Sequence, residues 1–315
     1  MMQPEEKTLY PIYTFEDYRE KLSTVFENYR KKKAITCVGD NAIEREITYE
    51  ELLDIAKKIN AFLQGLGLIR AQRVAVISPP TAEAVVLNMA LAYGGYTNVL
   101  IDATLPSVEC DKLLRYADVS ALFVTEAIYN QLDPELKKEI PSIRINNNFD
   151  YVLFDGCATE SKKTNVEPYD EEVAAIVFSS GTTAEMKGIM VTYSSILYAQ
   201  KFICKYANLS SKDKFLDILP SNHIAGYSSS MSCLLTGTEV GFIAEFNAEK
   251  MLLGFKHFAP TDFIMVPRVY EVIKNKMEAA INQKPILVKW YAKTAMMFCG
   301  SVRRKTGINL RFLTK

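Results

Sequence analysis

The sequence predicts an α/β fold in which mostly parallel sheet is flanked by helices. Three observations carry this expectation: short, uniformly apolar runs, helical apolar spacing between them, and a hydroxyl-rich loop directly after one run. A helix starts at Thr48, where Thr48 and Glu51 make a capping-box pattern. Leu52, Ile55, Ala56, Ile59, Phe62 and Leu63 keep helical spacing behind it, until Gly65 and Gly67 end the element. Val74 to Ile77 reads as a buried strand, and about Thr81 to Tyr93 as a helix. Asn98 to Ile101 makes a second strand, about Ser107 to Tyr116 a helix, and Ala121 to Thr125 a third strand. Such alternation implies parallel strands with crossover helices, whose ligands lie in loops beyond the strands' carboxyl ends.

A further apolar run, Val173 to Phe178, breaks into Ser179, Ser180, Gly181, Thr182 and Thr183, with Lys187 close behind. Backbone N–H groups and hydroxyls in that order surround phosphate oxygens, Gly181 admits close backbone approach, and Lys187 adds a mobile positive charge. A polar turn between two elements is the competing reading. Ile189 to Thr192 reads as a return strand, and Ser194 begins a helix carrying Ile196, Ala199 and Ile203. A hairpin at this point, together with the absence of G-x-x-x-x-G-K-[ST] spacing, argues against a Walker-type P-loop.

Composition narrows the class. The 315 residues suffice for one large or two ordinary domains, and 49% apolar with 23% charged residues describes a globular chain. Lys plus Arg (37) balances Asp plus Glu (37), so no overall field favours nucleic acid. The six cysteines are scattered without a C-x-x-C pair, and with only His223 and His257 a zinc site is not expected. The N-terminus lacks the pattern of a signal peptide, and a reducing cytoplasm fits the cysteines. Two uncharged windows, Ala84 to Ile101 and Ile218 to Thr238, are interrupted by Asn, Gly, Pro and Ser, so buried elements explain them better than membrane spans.

Several stretches in order resemble the adenylate-forming superfamily, which includes acyl-CoA synthetases, luciferases and peptide-synthetase adenylation domains. Its phosphate loop reads [ST]-S/T-G-T-T-G-x-P-K-G, matched here at Ser180, Gly181, Thr182, Thr183, Lys187 and Gly188. Tyr49 to Ile101 resembles the family's opening helix and strand, with Leu91-Ala-Tyr-Gly-Gly95 and Val99-Leu-Ile-Asp102. Leu219-Pro-Ser-Asn-His-Ile-Ala-Gly226 resembles its LP-x-x-H-x-x-G element, and Val266-Pro-Arg-Val-Tyr-Glu271 a segment of the long-chain fatty acyl-CoA synthetase branch.

The resemblance implies the N-terminal part of an acid–CoA ligase. That enzyme joins a hydrophobic, fatty-type carboxylic acid to ATP as an acyl-adenylate, then passes the acyl group to a thiol, usually coenzyme A. Ser179, Ser180, Gly181, Thr182, Thr183 and Lys187 would hold the ATP phosphates, with Thr183 contacting Mg²⁺ and His223 serving as the catalytic residue at the α-phosphate and acyl pocket. A loop histidine bonded to backbone is the competing reading for His223. His257 and Ser228 to Ser230 are expected to be structural, Arg268 to begin a helix, and Tyr270 to pack in the core. Two departures stand out: Ala184 replaces the family's glycine and Met186 its proline, which would loosen the loop.

The resemblance further implies one adenylation domain with lobes at 69–209 and at 30–68 plus 210–315. The family's C-terminal half, with its mobile catalytic domain, is expected in the parent protein beyond the strand after Gly307, leaving this chain catalytically incomplete. Other readings are a fragment that only binds nucleotide or phosphate, an enzyme that loads a carrier protein, a kinase, and an interaction module.

Overall fold

The computed structural model describes residues 12–146, 148–161, 172–179, 186–243 and 247–265, with isolated positions between 271 and 294. Helix α1 (Phe15–Asn28) starts at a capping box made by Thr14 and Asp17 and buries Phe15, Tyr18, Leu22, Val25 and Phe26. Strands β1 (Lys33–Val38) and β2 (Ile43–Thr48) form an antiparallel pair that leads into α2 (Tyr49–Gly65). Thr48 and Glu51 close the expected capping box, and Leu52, Ala56, Ile59 and Leu63 form the buried stripe.

Next come β3 (Arg73–Ile77), α3 (Ala82–Gly94), β4 (Thr97–Ile101), α4 (Ser107–Tyr116) and β5 (Ala121–Val124). These are the alternating elements read from the sequence, within a residue at each end; β5 stops one residue short, because Thr125 is the N-cap position of the short α5 (Glu126–Tyr129). Gly95 ends α3 at φ +79°, a left-handed backbone that suits glycine. Then follow α6 (Pro134–Glu139), β6 (Ser142–Arg144), β7 (Val152–Leu153), β8 (Val173–Ser179) and β9 (Lys187–Thr192). The last elements are α7 (Tyr193–Tyr206), β10 (Lys214–Asp217), α8 (Ile224–Leu234), β11 (Glu239–Ile243), α9 (Ala248–Phe258) and β12 (Asp262–Phe263).

The described strands build two sheets. One has the order β12-β10-β11-β1-β2 and is parallel except for β2; the other has the order β7-β6-β5-β3-β4-β8-β9, with only the edge strands β7 and β9 antiparallel. Both sheets are flanked by helices, so the α/β expectation holds.

Alternation along the central strands separates two cores. Val74, Val76, Leu100, Ala121 and Phe123 belong to the larger core with α2, α3 and α8; Ala75, Ile77, Val99, Ile101, Leu122 and Val124 join Leu113 and Leu114 of α4 in the smaller one. Burial on both faces is why these strands read as continuous apolar runs. It also explains the two uncharged windows. The first is α3, buried from Ala84 to Ala92, together with β4; most of the second is α8 and its approach. Among the described residues, no helix is long and apolar enough to cross a membrane.

The chain divides into two compact units, Met1–Ile264 and Met265–Lys315, and all the elements above belong to the first. In the second, Glu271, Lys274 and Glu278 are helical, and Lys274 pairs with Glu278 one turn on. Arg268 and Tyr270 lie outside the described residues.

Candidate active site

The hairpin expected after Val173–Phe178 is present: β8 and β9 pair antiparallel, with Phe178 opposite Gly188 and Ser179 opposite Lys187. The return strand therefore starts at Lys187, two residues earlier than the apolar spacing suggested, because ladder pairing continues onto an exposed polar residue. Helix α7 likewise starts at Tyr193, since the Thr192 side chain accepts the Ser195 N–H and acts as its cap. Ser180, Gly181, Thr182, Thr183, Ala184 and Glu185 lie outside the described residues; Ser179 and Lys187 flank them.

Strand alternation fixes which way this mouth faces. Ala175, Val177 and Val191 point into the larger core, so Ser179 and Lys187 project from the same face of the sheet. Strand β4 lies beside β8 with Leu100 opposite Val177. Two residues beyond that pair stand Asp102 and Ser179, on the same carboxyl edge.

Asp102 was not singled out as a site residue by the sequence, although it follows a buried strand at its carboxyl end. Its Oδ1 accepts the Thr104 N–H at 2.8 Å and the Thr104 hydroxyl at 2.7 Å. Burial pushes its carboxyl up, but these bonds, nearby His223 and a hydrogen bond from the Asn222 side chain together hold it below its ordinary value. Asp102 thus ties the loop after β10 to the carboxyl edge of the other sheet.

His223 is the N-cap residue of α8 and is exposed. Its N–H donates to the Pro220 carbonyl at 3.1 Å and its carbonyl accepts the Tyr227 N–H at 2.9 Å, while its side chain makes no capping bond.

Gly226 has a packing reason for being glycine: a Cβ there would stand 2.2 Å from the Pro220 carbonyl oxygen. The first turn of α8 lies directly on the Leu219–Pro220 turn, which fixes where His223 emerges. The serines that follow are structural. Ser229 donates to the Ala225 carbonyl at 2.8 Å and Ser230 to the Gly226 carbonyl at 2.9 Å, back-bonds within the helix. His257 is half-buried in the last turn of α9.

Comparison with known proteins decides the family. Residues 23–304 match the profile of the AMP-binding enzymes. This chain is an AMP-binding family member.

Within the family it is 23% identical over 263 residues to fatty acyl-CoA synthetase B of Dictyostelium discoideum, covering 77% of this chain and 39% of that protein. It is 26% identical over 278 residues to 4-coumarate–CoA ligase 2 of Petroselinum crispum, covering 84% and 49% respectively. The fold matches the crystal structure of a long-chain-fatty-acid–CoA ligase from Archaeoglobus fulgidus with a TM-score of 0.69 at 21% identity, over 86% of this chain and 55% of that one. The chain thus spans about half the length or less of the curated relatives it matches. The two sheets and the β8–β9 hairpin of this AMP-binding protein therefore belong to a known architecture, and the resemblance read from the motifs is correct at family level.

Proposed function

We propose that this chain is the ATP-holding N-terminal part of an AMP-forming acid–thiol ligase whose acid is hydrophobic, of the fatty type. The observation that carries the reading is the convergence of Ser179, Lys187, Asp102 and His223 at one carboxyl edge, built from both sheets. The names of the related fatty acyl-CoA and coumarate–CoA ligases support an acid–CoA reaction class, and their different acids leave the choice of acid to the pocket.

Activation of a carboxylate by ATP brings two anions together, so catalysis rests on positioning and charge neutralisation. In this reading the 179–187 loop holds the β- and γ-phosphates, with Lys187 as the cationic clamp. Ser180, Gly181, Thr182 and Thr183 add hydroxyls and N–H groups. His223 stands beside the acid's carboxylate and the α-phosphate. Coenzyme A is the acceptor thiol.

Among the described residues no group of three His, Cys, Asp or Glu forms a metal cage. A magnesium ion would instead be held mainly by phosphate oxygens, an arrangement usual for Mg²⁺, with Thr183 offering a hydroxyl. Its chemistry when bound is to neutralise triphosphate charge. Residues 69–209 and 30–68 plus 210–315 are read as the lobes of one adenylation domain, and the ligase activity as that of the whole parent protein.

ATP–pyrophosphate exchange over a panel of carboxylic acids tests the proposal on this chain and on a version extended to the length of its relatives. Acid-dependent exchange by the longer protein, strongest with apolar acids, is the expected result. Phosphoryl transfer without pyrophosphate release would replace this reading with a kinase.

A further inference from the structure

A cavity of about 320 Å³ opens at the carboxyl ends of β3, β10 and β11. Pro79, Val85, Leu219 and Phe242 make its wall largely apolar, and Asp217 is among the residues that line it. Asp217 is only 5% exposed. One of its oxygens accepts the Leu219 N–H at 3.2 Å, and the other lies against the Ser230 hydroxyl, whose single proton it shares with the Gly226 carbonyl. Burial pushes this carboxyl up to about 6, against the opposing effect of the bonds from Ser230 and Leu219.

Among the described residues no cationic side chain contributes to that balance. A carboxylate taken out of water without a counter-charge is costly. Here it borders a space large enough for a small organic molecule, which has an apolar wall and one fixed anion.

We propose that the Asp217 cavity binds a small primary ammonium carried on an apolar body. The ammonium supplies the counter-charge and donates to the carboxylate, while the body covers Val85, Leu219 and Phe242. An alcohol of the same shape offers the body without the charge, and a simple inorganic cation offers the charge without the body. The site uses neither the loop after β8 nor the His223 side chain, although Leu219 and Ser221 belong to the same element as His223.

Isothermal titration calorimetry near neutral pH, with benzylammonium chloride, benzyl alcohol and sodium chloride, tests this. Benzylammonium is expected to bind saturably and at least about tenfold more tightly than benzyl alcohol, because a charge-assisted contact is being added. Asp217→Asn should bring benzylammonium down to the level of the alcohol and leave the alcohol unchanged. Ile218→Trp, which fills the cavity from its loop, should abolish both.

Absence of saturable benzylammonium binding, equal affinity for amine and alcohol, the same heat from sodium chloride, or unchanged binding in Asp217→Asn would each overturn the proposal. Should Asp217→Asn fail to fold, the amine-to-alcohol ratio in the unaltered protein and the loss in Ile218→Trp decide it.

Discussion

Ser179 and Lys187 are cross-strand partners in the β8–β9 ladder, so the two ends of the loop proposed to hold phosphate are pinned directly opposite each other. Lys187 is exposed, and its removal leaves the ladder's backbone bonds intact. A charge-assisted contact is worth about 1.5–3 kcal/mol, so Lys187→Ala is expected to weaken ATP binding about tenfold to a hundredfold with little change in thermal stability. Calorimetric titration of ATP and a thermal melt check the two halves; unchanged affinity would remove Lys187 from the site.

Gly226 governs a close approach between α8 and the turn before it. A methyl group there meets backbone, with the Pro220 carbonyl carbon at 2.7 Å as well as its oxygen at 2.2 Å. Backbone cannot swing aside as a flexible side chain can, so Gly226→Ala should destabilise by about 1–3 kcal/mol or more. It should also displace His223. Urea unfolding reads the first effect, and the amide spectrum of residues around His223 reads the second; a neutral substitution would contradict the packing argument.

Asp217 sets a pH dependence of stability with a definite sign. Its carboxyl is raised from 3.8 to about 6 in the folded protein, chiefly by burial. Between those values the folded state holds more protons than the unfolded one, so stability falls as pH rises through this window. A rise of that size corresponds to about 3 kcal/mol as an order of magnitude. Asp217→Asn should flatten the melting temperature between mildly acidic and neutral pH, and an unchanged profile would show that the carboxyl titrates normally.

Thr48 holds the start of α2 through a reciprocal cap. Its N–H donates to the Glu51 carboxylate at 2.7 Å, and the Glu51 N–H donates to its hydroxyl at 3.2 Å. Thr48→Ala removes the hydroxyl and should cost about 1 kcal/mol. The same bonds hold the Glu51 carboxyl below its ordinary value, so their contribution is present above the unfolded carboxylate pKa. It fades as pH falls through the folded one. A cap mutant equally stable at neutral pH would refute the assignment.

What could be read in advance follows from where the information lies. The α2, α3 and α4 helices and the β3 to β5 strands were legible because capping and periodicity are local, and because burial on two faces writes an unbroken apolar run. The β1–β2 hairpin was not legible. Exposed Glu44 and Glu46 alternate with half-buried Ile43 and Arg45, so only Ile47 of β2 is fully buried, and β1 owes its place to β11, about two hundred residues along the chain. Asp217 was missed for a related reason: in sequence it merely ends the short Lys214–Asp217 run, and only α8 folding across it, with Ser230, reveals it as a buried carboxyl. Asp102 entered the candidate site through Asn222 and His223, a meeting of two sheets that no local spacing encodes.

The division of the central strands between two cores has a consequence for how this protein can change. Adjacent residues such as Val76 and Ile77 serve separate packing compartments, with the sheet as a bulkhead between them. A volume change under α4 need not disturb the layer containing α3 and α8, so each layer can drift in sequence on its own. The carboxyl edge takes its geometry from the bulkhead itself. Relatives could therefore diverge widely in their helices while keeping the same spacing between neighbouring strand ends.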